Sequence, residues 1–371
     1  MAIWKIDELG EFVTLKRGYD LPQQKRKNGE IPIFSSAGVT GTHNEAMVEA
    51  PGVITGRYGT IGEVFFAETS FWPLNTTLYV ENFHENDEKF VYYFLKTLEW
   101  KKFASASAVP GINRNTLHKE IVRFPDFETQ QKIASVLSTI DKKIAVNKAI
   151  NDNLEQQAAT YFQELFINNA NPMWQISTIS DLGTVVGGST PSKTKPEYYT
   201  NNGIAWITPK DLSINKSKFI SHGENDITEL GLKNSSATVM PKGTVLFSSR
   251  APIGYIAIAS NEVTTNQGFK SVIPYSEIGT AFVYFFLKHS LPVIESAASG
   301  STFKEISGSA MKNIPAIIPD RNTLDQFNSF CAPIFAQQKI LEEQNHSLAM
   351  LRDSLLPKLM SGAIDIASIQ L

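Results

Sequence analysis

The chain repeats itself once, and this duplication constrains its fold more than any other feature of the sequence. Residues 90–96 (FVYYFLK) recur as residues 282–288 (FVYFFLK), and Pro125-Asp126 recurs as Pro319-Asp320. The matched features keep the same order in both copies, although the second copy carries insertions. Because the period of about 190 residues is far longer than the roughly 20–50 residues of solenoid repeats, the pattern predicts a duplicated domain.

Each copy ends in a segment that is predicted to form a long helix. Residues 128–168 contain no Pro or Gly, and their apolar residues recur at steps of three and four, which is typical of a heptad seam. The same register holds in the second copy at an offset of 194, where Asn151 maps onto Asn345. The predicted seam positions are Ile133, Leu137, Ile140, Ile144, Asn151, Leu154, Leu165, Phe327, Ile334, Leu341, Asn345, Leu348, Leu355 and Leu359.

These seams predict that the two long helices pack on each other as an antiparallel coiled coil. The alternative is that each helix packs only on its own globular domain. Strand-like runs alternate with short predicted helices in both copies, so the fold class is α+β, with two mixed globular domains related by a pseudo-twofold. The predicted limits are a first globular domain at residues 1–127, a central helix at 128–170, a second globular domain at 171–321 and a C-terminal helix at 322–371.

Composition excludes several classes of protein. A single Cys in 371 residues rules out a disulfide framework. The longest apolar run, residues 281–287, is far shorter than the roughly 18 residues of a membrane helix, so we expect a soluble protein of the cytoplasm. The formal net charge of −3 argues against a protein that simply coats DNA, yet the basic residues are clustered and allow a basic face.

Signatures of catalysis and of metal binding are missing from the sequence. Residues 125–128 (PDFE) weakly resemble a nuclease carboxylate pair, but the second copy has no matching Glu. Capping of the long helices by Asp126 and Asp320 explains both acids better. The six His have no metal-ligand spacing. The sequence therefore predicts neither a catalytic residue nor a metal site.

The order of globular domain, long helix, globular domain and long helix resembles the specificity subunit of type I restriction–modification systems. Local strings support the resemblance: residues 56–62 (GRYGTIG), residues 125–133 (PDFETQQKI) and residues 355–362 (LLPKLMSG). The second copy departs from the first string, since residues 250–254 read RAPIG.

The resemblance implies that each globular domain is a target recognition domain reading one half of a split site in double-stranded DNA. It implies that the helices form a spacer and dock two modification subunits, which methylate adenine with S-adenosylmethionine. A restriction subunit that uses ATP and magnesium would join through them. No cofactor is then expected in this chain, and no membrane contact.

Candidate DNA-binding residues follow from side-chain chemistry at matching places in the two copies. Lys and Arg neutralise phosphates, Arg and Asn read base edges, and Gly lets the backbone approach a phosphate. The alternative for each segment is an ordinary turn or a solvated loop. The candidates are Lys16, Arg17, Lys25, Arg26, Lys27, Gly56, Arg57, Tyr58, Thr60, Asn113, Arg114, Ser189, Thr190, Lys193, Lys195, Arg250, Ser301, Thr302 and Lys304.

Two other functions remain open at this point. A stand-alone DNA methyltransferase would bind S-adenosylmethionine in the isolated chain. A coiled-coil scaffold without a DNA role would bind no DNA at any salt concentration. The DNA sequence that the chain recognises cannot be inferred from these residues.

Overall fold

The computed structural model describes residues 3–104, 110–300 and 304–366, and its internal contacts divide them into two compact units. Unit 1 comprises the described residues up to 145 together with residues 345–366. Unit 2 comprises the described residues from 146 to 344. Each unit therefore combines one globular part with a stretch of each long helix.

The globular part of unit 1 consists of nine short strands and three short helices among the described residues. The first four-stranded sheet is antiparallel, with the order β2-β8-β5-β6, and a second sheet has the order β4-β3-β7. A ribbon of β1 and β9 precedes the long helix α4. The elements are β1 (Trp4–Glu8), α1 (Leu9–Phe12), β2 (Thr14–Arg17), β3 (Ile31–Ser35), β4 (Gly38–His43), β5 (Gly52–Gly56), β6 (Val64–Ala67), β7 (Trp72–Pro73), β8 (Thr77–Asn82), α2 (Glu88–Thr97), α3 (Arg114–His118), β9 (Ile121–Pro125) and α4 (Phe127–Gln163).

Unit 2 has the same plan with additional elements. Its largest sheet has the order β11-β19-β16-β17-β14, its second sheet has the order β12-β15-β13-β18, and β10 pairs with β20 in a ribbon before α10. The elements are β10 (Gln175–Thr178), β11 (Gly183–Gly187), β12 (Tyr199–Thr200), β13 (Ile204–Ile207), α5 (Pro209–Ile214), β14 (Phe219–Ile220), β15 (Asn225–Ile227), α6 (Glu229–Lys233), β16 (Val245–Ser249), β17 (Ile253–Ala259), β18 (Thr264–Thr265), β19 (Lys270–Pro274), α7 (Thr280–His289), α8 (Leu291–Ala297), α9 (Gly308–Lys312), β20 (Pro315–Ile318) and α10 (Arg321–Met360).

The predicted duplication and the α+β class are confirmed. The order β2-β8-β5-β6 in unit 1 recurs as β11-β19-β16-β17 in unit 2. Strand β2 aligns with β11 at an offset of 170, whereas the residues around Arg57 align at an offset of 192. The insertion therefore lies between β11 and β16, and it contains α5, β14 and α6. Strand β15 is the counterpart of β4, because it pairs with β13 as β4 pairs with β3.

The long helices run antiparallel within each unit. In unit 1, the Arg352 guanidinium lies 2.7 Å from the Asp141 carboxylate, and residues 133–137 of α4 share a core with residues 359–360 of α10. In unit 2, the Gln338 side-chain amide donates to the Asn151 carbonyl at 3.1 Å, and the Gln326 amide donates to the Tyr161 hydroxyl at 2.6 Å. Residue numbers on α10 fall as those on α4 rise, so the predicted antiparallel pairing is confirmed within each unit. All the predicted seam positions are buried or half-buried.

A buried ion pair fastens the main sheet of unit 2 to the long helices. The Lys218 ammonium, on a side chain only 6% exposed, pairs with Glu155 of α4 and donates to the Gln338 side-chain oxygen of α10 at 2.7 Å. Glu342 accepts the backbone N–H groups of Lys218 and Phe219 at 2.8 and 3.0 Å. Strand β14 begins at Phe219, so these contacts position the edge of the sheet on both helices.

Asp126 and Asp320 cap the two long helices, as the sequence predicts. The Asp126 carboxylate accepts the N–H groups of Thr129 and Ile3, each at 2.9 Å. The Asp320 carboxylate accepts the Thr323 N–H and the Trp174 indole N–H, each at 3.0 Å. The backbone N–H groups of Thr129 and Ile3 hold the pKa of Asp126 below its usual value.

We expect Asp126→Ala to lower the free energy of unfolding by about 1 kcal/mol at pH 7, because the first turn of α4 loses its cap. A carboxylate with a lowered folded-state pKa stabilises the protein above its unfolded pKa of about 4, and that stabilisation disappears as the pH falls through the folded pKa. The difference from the unsubstituted protein should therefore shrink in acid. Urea unfolding at several pH values measures it.

Asp152→Ala is the matched control, because the Asp152 side chain is exposed on the same helix and forms no hydrogen bond or ion pair within the described part of the chain. Equal losses in both variants, or a loss at Asp126 that does not change with pH, would contradict the capping role.

Candidate nucleic-acid interface

A concavity of about 590 Å³ on unit 1 brings together candidate residues from three separate segments of the sequence. Four of its lining residues are cationic and none is acidic. Six of the eleven candidates of the first copy lie in it. The lining residues are Lys16, Arg17, Arg57, Tyr58, Leu78, Gly111, Ile112, Asn113, Arg114 and Asn115.

Backbone hydrogen bonds hold these three segments next to one another. Strand β8 lies between β2, which carries Lys16 and Arg17, and β5, which ends just before Arg57. The Arg57 N–H donates to the Thr76 carbonyl at 2.9 Å, and the Ile112 N–H donates to the Arg57 carbonyl at 3.0 Å. The segment that leads into α3 is thereby attached to the end of β5.

Two glycines are required by close approaches in this site. A Cβ atom on Gly111 would overlap the Tyr58 ring, and a Cβ atom on Gly56 would overlap the Thr60 carbonyl oxygen. The turn from β5 to β6 also contains Gly59 with a φ of 74°, in the left-handed region that favours glycine. The predicted role of Gly56 next to a phosphate is not needed to explain this residue, since the turn itself requires it.

The four cations differ in how far they are neutralised. The Lys16 ammonium lies 2.6 Å from Glu81, and this hydrogen bond raises the pKa of Lys16. Arg17 lies 3.9 Å from Asp20. The Arg57 guanidinium stacks on the Tyr58 ring at 4.5 Å from its centroid. Within the described residues, neither Arg57 nor Arg114 forms an ion pair, so their charge is available to an anion or to a base edge.

The remaining candidates of the first copy lie elsewhere. Lys25 ends a short 3-10 turn, the Arg26 guanidinium donates to the Thr40 carbonyl at 3.4 Å, and the Lys27 N–H donates to the His43 ring at 3.1 Å. This basic segment therefore lies beside β4 and does not line the concavity. Thr60 is exposed in the turn after β5.

The first candidates of the second copy occupy the loop after β11. The Ser189 carbonyl accepts the Trp206 indole N–H at 3.0 Å, and Thr190 bonds to Gln267. Lys193 and Lys195 are exposed. Lys304 is exposed as well, whereas Ser301 and Thr302 lie outside the described residues.

The sequence suggests that Arg250 is the counterpart of Arg57, but the structure shows that it is not. The Ser249 N–H donates to the Gly268 carbonyl at 2.7 Å, and the Ile306 N–H donates to the Ser249 carbonyl at 3.1 Å. These bonds repeat those of Arg57 with Thr76 and Ile112. Ser249 is therefore the counterpart of Arg57, and Arg250 takes the place of Tyr58. An offset of 192 residues aligns Ser249 with Arg57. Pairing the two arginines because they are the same residue type requires an offset of 193, which is one residue out of register.

Two charged residues beside Arg250, Glu305 and Lys270, were not among the residues predicted from the sequence. The Glu305 carboxylate lies 3.2 Å from the Arg250 guanidinium and 3.6 Å from the Lys270 ammonium. Lys270 pairs with Gly187 between β19 and β11, and Leu78 pairs with Arg17 between the matching strands β8 and β2. Lys270 is therefore the counterpart of Leu78, which lines the concavity of unit 1. The offset of 192 would have identified it.

Neither a metal cluster nor a membrane span is evident in the residues that the structure describes. No group of three or more His, Cys, Asp or Glu side chains among them is arranged to hold a metal ion. None of the helices formed by these residues combines the length and the apolar character that crossing a bilayer requires.

Several known proteins are similar to this chain in sequence or in fold. The specificity subunit of the type I restriction enzyme MjaIX of Methanocaldococcus jannaschii is 43% identical over 162 residues, which cover 43% of this chain and 37% of that protein. The HindI specificity subunit of Haemophilus influenzae is 24% identical over 347 residues, which cover 72% of this chain and 75% of that protein. The chain thus matches little more than a third of the first relative's length and three quarters of the second's.

A solved structure has the same fold. The S subunit of a type I restriction–modification system from M. genitalium matches with a TM-score of 0.66 and 18% identity, over 96% of both chains. The family model described as the type I restriction modification DNA specificity domain matches residues 1–156 and again residues 171–345. Since these two matches cover most of the sequence, one in each repeat, the chain belongs to the family of type I restriction–modification DNA specificity domains.

Proposed function

We propose that this chain is the DNA-recognition subunit of a type I restriction–modification complex and that each unit recognises one half of a split site in double-stranded DNA. The observation that carries the proposal is the concavity of unit 1, where four cations from three segments meet without an acid among the lining residues. Such a surface suits a phosphate backbone and guanine edges. The remaining candidate residues are proposed to contact DNA around it.

The chemistry of methylation and cleavage is assigned to partner subunits. Two modification subunits would bind S-adenosylmethionine and methylate adenine, and a restriction subunit would use ATP and magnesium in the cytoplasm. The chain itself is proposed to have no catalytic residue, no metal site and no cofactor. The predicted domain limits, residues 1–127, 128–170, 171–321 and 322–371, are kept as part of this proposal.

The two long helices are proposed to fix the distance between the half-sites. Both helices are continuous over nearly 40 residues, with α4 spanning 37 and α10 spanning 40. A helix rises about 1.5 Å per residue, so each is about 55–60 Å long. A rigid spacer of this length would leave a stretch of DNA between the half-sites without direct contacts.

We expect Arg57→Ala to weaken specific DNA binding by about 1–3 kcal/mol and to affect one half-site only. Loss of a base contact would relax one base position, and loss of a phosphate contact would lower the salt dependence of binding by about one charge. The target is first identified by methylation mapping in cells that carry the complete system. Binding of the purified complex is then measured against that target and its variants.

Lys143→Ala is a suitable control, because Lys143 is an exposed cation on α4 that forms no ion pair with the described residues. Arg57→Ala would refute the assignment of the concavity if its affinity, base preference and salt dependence all matched those of the control.

Removal of one heptad from each long helix should shorten the preferred spacer. Residues 142–148 and 345–351 each lie between the Asp141–Arg352 pair of unit 1 and the Asn151–Gln338 pair of unit 2 along their helices. Deleting both segments removes about 10 Å, or about three base pairs at about 3.4 Å each. We expect binding to shift to targets with a correspondingly shorter spacer.

The measurement uses a series of DNA duplexes that differ only in spacer length. Deleting a heptad from α4 alone is the control, since it puts the two helices out of step and should destabilise the protein. A folded double deletion that still prefers the original spacer would show that the helices do not set the distance.

A further inference from the structure

In unit 2 an arginine, a lysine and a glutamate meet at the place that corresponds to the concavity of unit 1. Arg250, Lys270 and Glu305 are the counterparts of Tyr58, Leu78 and Gly111, as two matched pairings show. Tyr58 forms an antiparallel bridge with Gly111, and Arg250 forms one with Glu305. Leu78 pairs with Arg17, and Lys270 pairs with Gly187. Arg250, Lys270 and Glu305 together form the Glu305 triad of unit 2.

Glu305 holds both cations, and the backbone holds Glu305. One carboxylate oxygen lies 3.2 Å from Arg250 Nη1, and the other lies 3.6 Å from Lys270 Nζ. The Glu305 N–H donates to the Ser299 carbonyl at 2.9 Å, and the Ser299 N–H donates back to the Glu305 carbonyl at 3.0 Å. Two hydrogen bonds therefore hold the backbone of Glu305, and its carboxylate restricts the orientation of the guanidinium.

The exposure of the three side chains suggests different roles. Lys270 is only 16% exposed, which suits a cation that neutralises Glu305 more than one that meets a ligand. Arg250 and Glu305 are each 37% exposed. The hydrogen bond to Glu305 uses Nη1 of Arg250, which leaves the two N–H donors on Nη2 for another acceptor.

The carboxylate also decides which ligand Arg250 suits. An acid in contact with the arginine repels a phosphate, whereas the uncharged O6 and N7 acceptors of guanine carry no full charge to be repelled. The concavity of unit 1 has no acid in its lining. Arg57 and Arg114 form no ion pair within the described residues, so these two arginines have no such restriction. The two units therefore present different chemistry on the same backbone scaffold.

We infer that the Glu305 triad is the base-reading element of unit 2, in which Arg250 donates to the O6 and N7 atoms of a guanine and Glu305 is the positioning residue. This inference rests on the proposed function, and it adds the base and the residues that recognise it. It requires a G·C pair in the half-site read by unit 2, and it requires that this base preference depend on Glu305 as much as on Arg250.

The test compares Arg250→Ala, Glu305→Gln and the double variant in complex with the modification subunits. Binding is measured against the mapped target and against duplexes with single base changes in each half-site. We expect both single variants to lose discrimination at the same G·C pair by about 5- to 150-fold. The double variant should lose no more than Arg250→Ala alone, because the two residues act through one contact. The other half-site should be read as before.

Two further variants separate base reading from other roles. Arg250→Lys keeps the positive charge but loses the planar fork, so we expect it to lose the same guanine preference while the salt dependence of binding stays unchanged. Glu295→Gln removes an exposed carboxylate elsewhere in unit 2 and should have no effect. Thermal unfolding of each variant excludes a folding defect, and Arg250→Lys decides the matter if Glu305→Gln does not fold.

The inference is overturned if Arg250→Ala weakens binding to all sequences equally and lowers the salt dependence, which would make Arg250 a phosphate contact. The inference would also be overturned if Glu305→Gln left the preference for the G·C pair unchanged, or if Arg250→Lys kept that preference in full. These outcomes leave the proposed function standing. An unsubstituted complex that binds no DNA sequence in preference to another would instead refute the proposed function itself.

Discussion

Each long helix contributes to two hydrophobic cores, and the rest of the structure depends on this sharing. In unit 1, residues 133–137 of α4 pack in one core with Leu359 and Met360 of α10. In unit 2, Ala158 and Phe162 of α4 pack in one core with residues 324–334 of α10. The first copy of the repeat therefore cannot complete its core without residues at the C-terminal end of the chain. Burial of this apolar surface stabilises the antiparallel pairing in both units.

The polar centre of the helices gives the pairing its register. Asn147 is fully buried, and Asn151 and Gln338 hydrogen-bond to each other across unit 2. A shift of either helix by a few residues would leave these groups buried without partners, at a cost of about 1–3 kcal/mol each. Such positions reduce stability compared with leucine but select one alignment. The strands and loops that carry the candidate DNA-binding residues are therefore attached to two helices, α4 and α10, whose register is fixed by these polar groups.

Sequence analysis predicted the features that depend on periodicity and repetition. Asp126 and Asp320 cap helices within one residue of the predicted starts, because capping is a local property. The site was harder to predict, because a backbone hydrogen bond places Ser249, not Arg250, next to Ile306, and such a bond does not depend on side-chain type. Glu305 could not be predicted, because its role depends on contacts with Arg250 and Lys270, which lie 55 and 35 residues away in sequence.

The central claim is that each unit reads its own half of the DNA target, and a hybrid subunit tests it most directly. Residues 171–321 would be replaced by the corresponding segment of another specificity subunit with a known target. Methylation mapping in cells with the complete system would then identify the new target. The account predicts that one half of the original sequence is retained and that the other half changes to that of the donor. A folded, active hybrid that still modified the entire original target, or that shared neither half with it, would contradict the account.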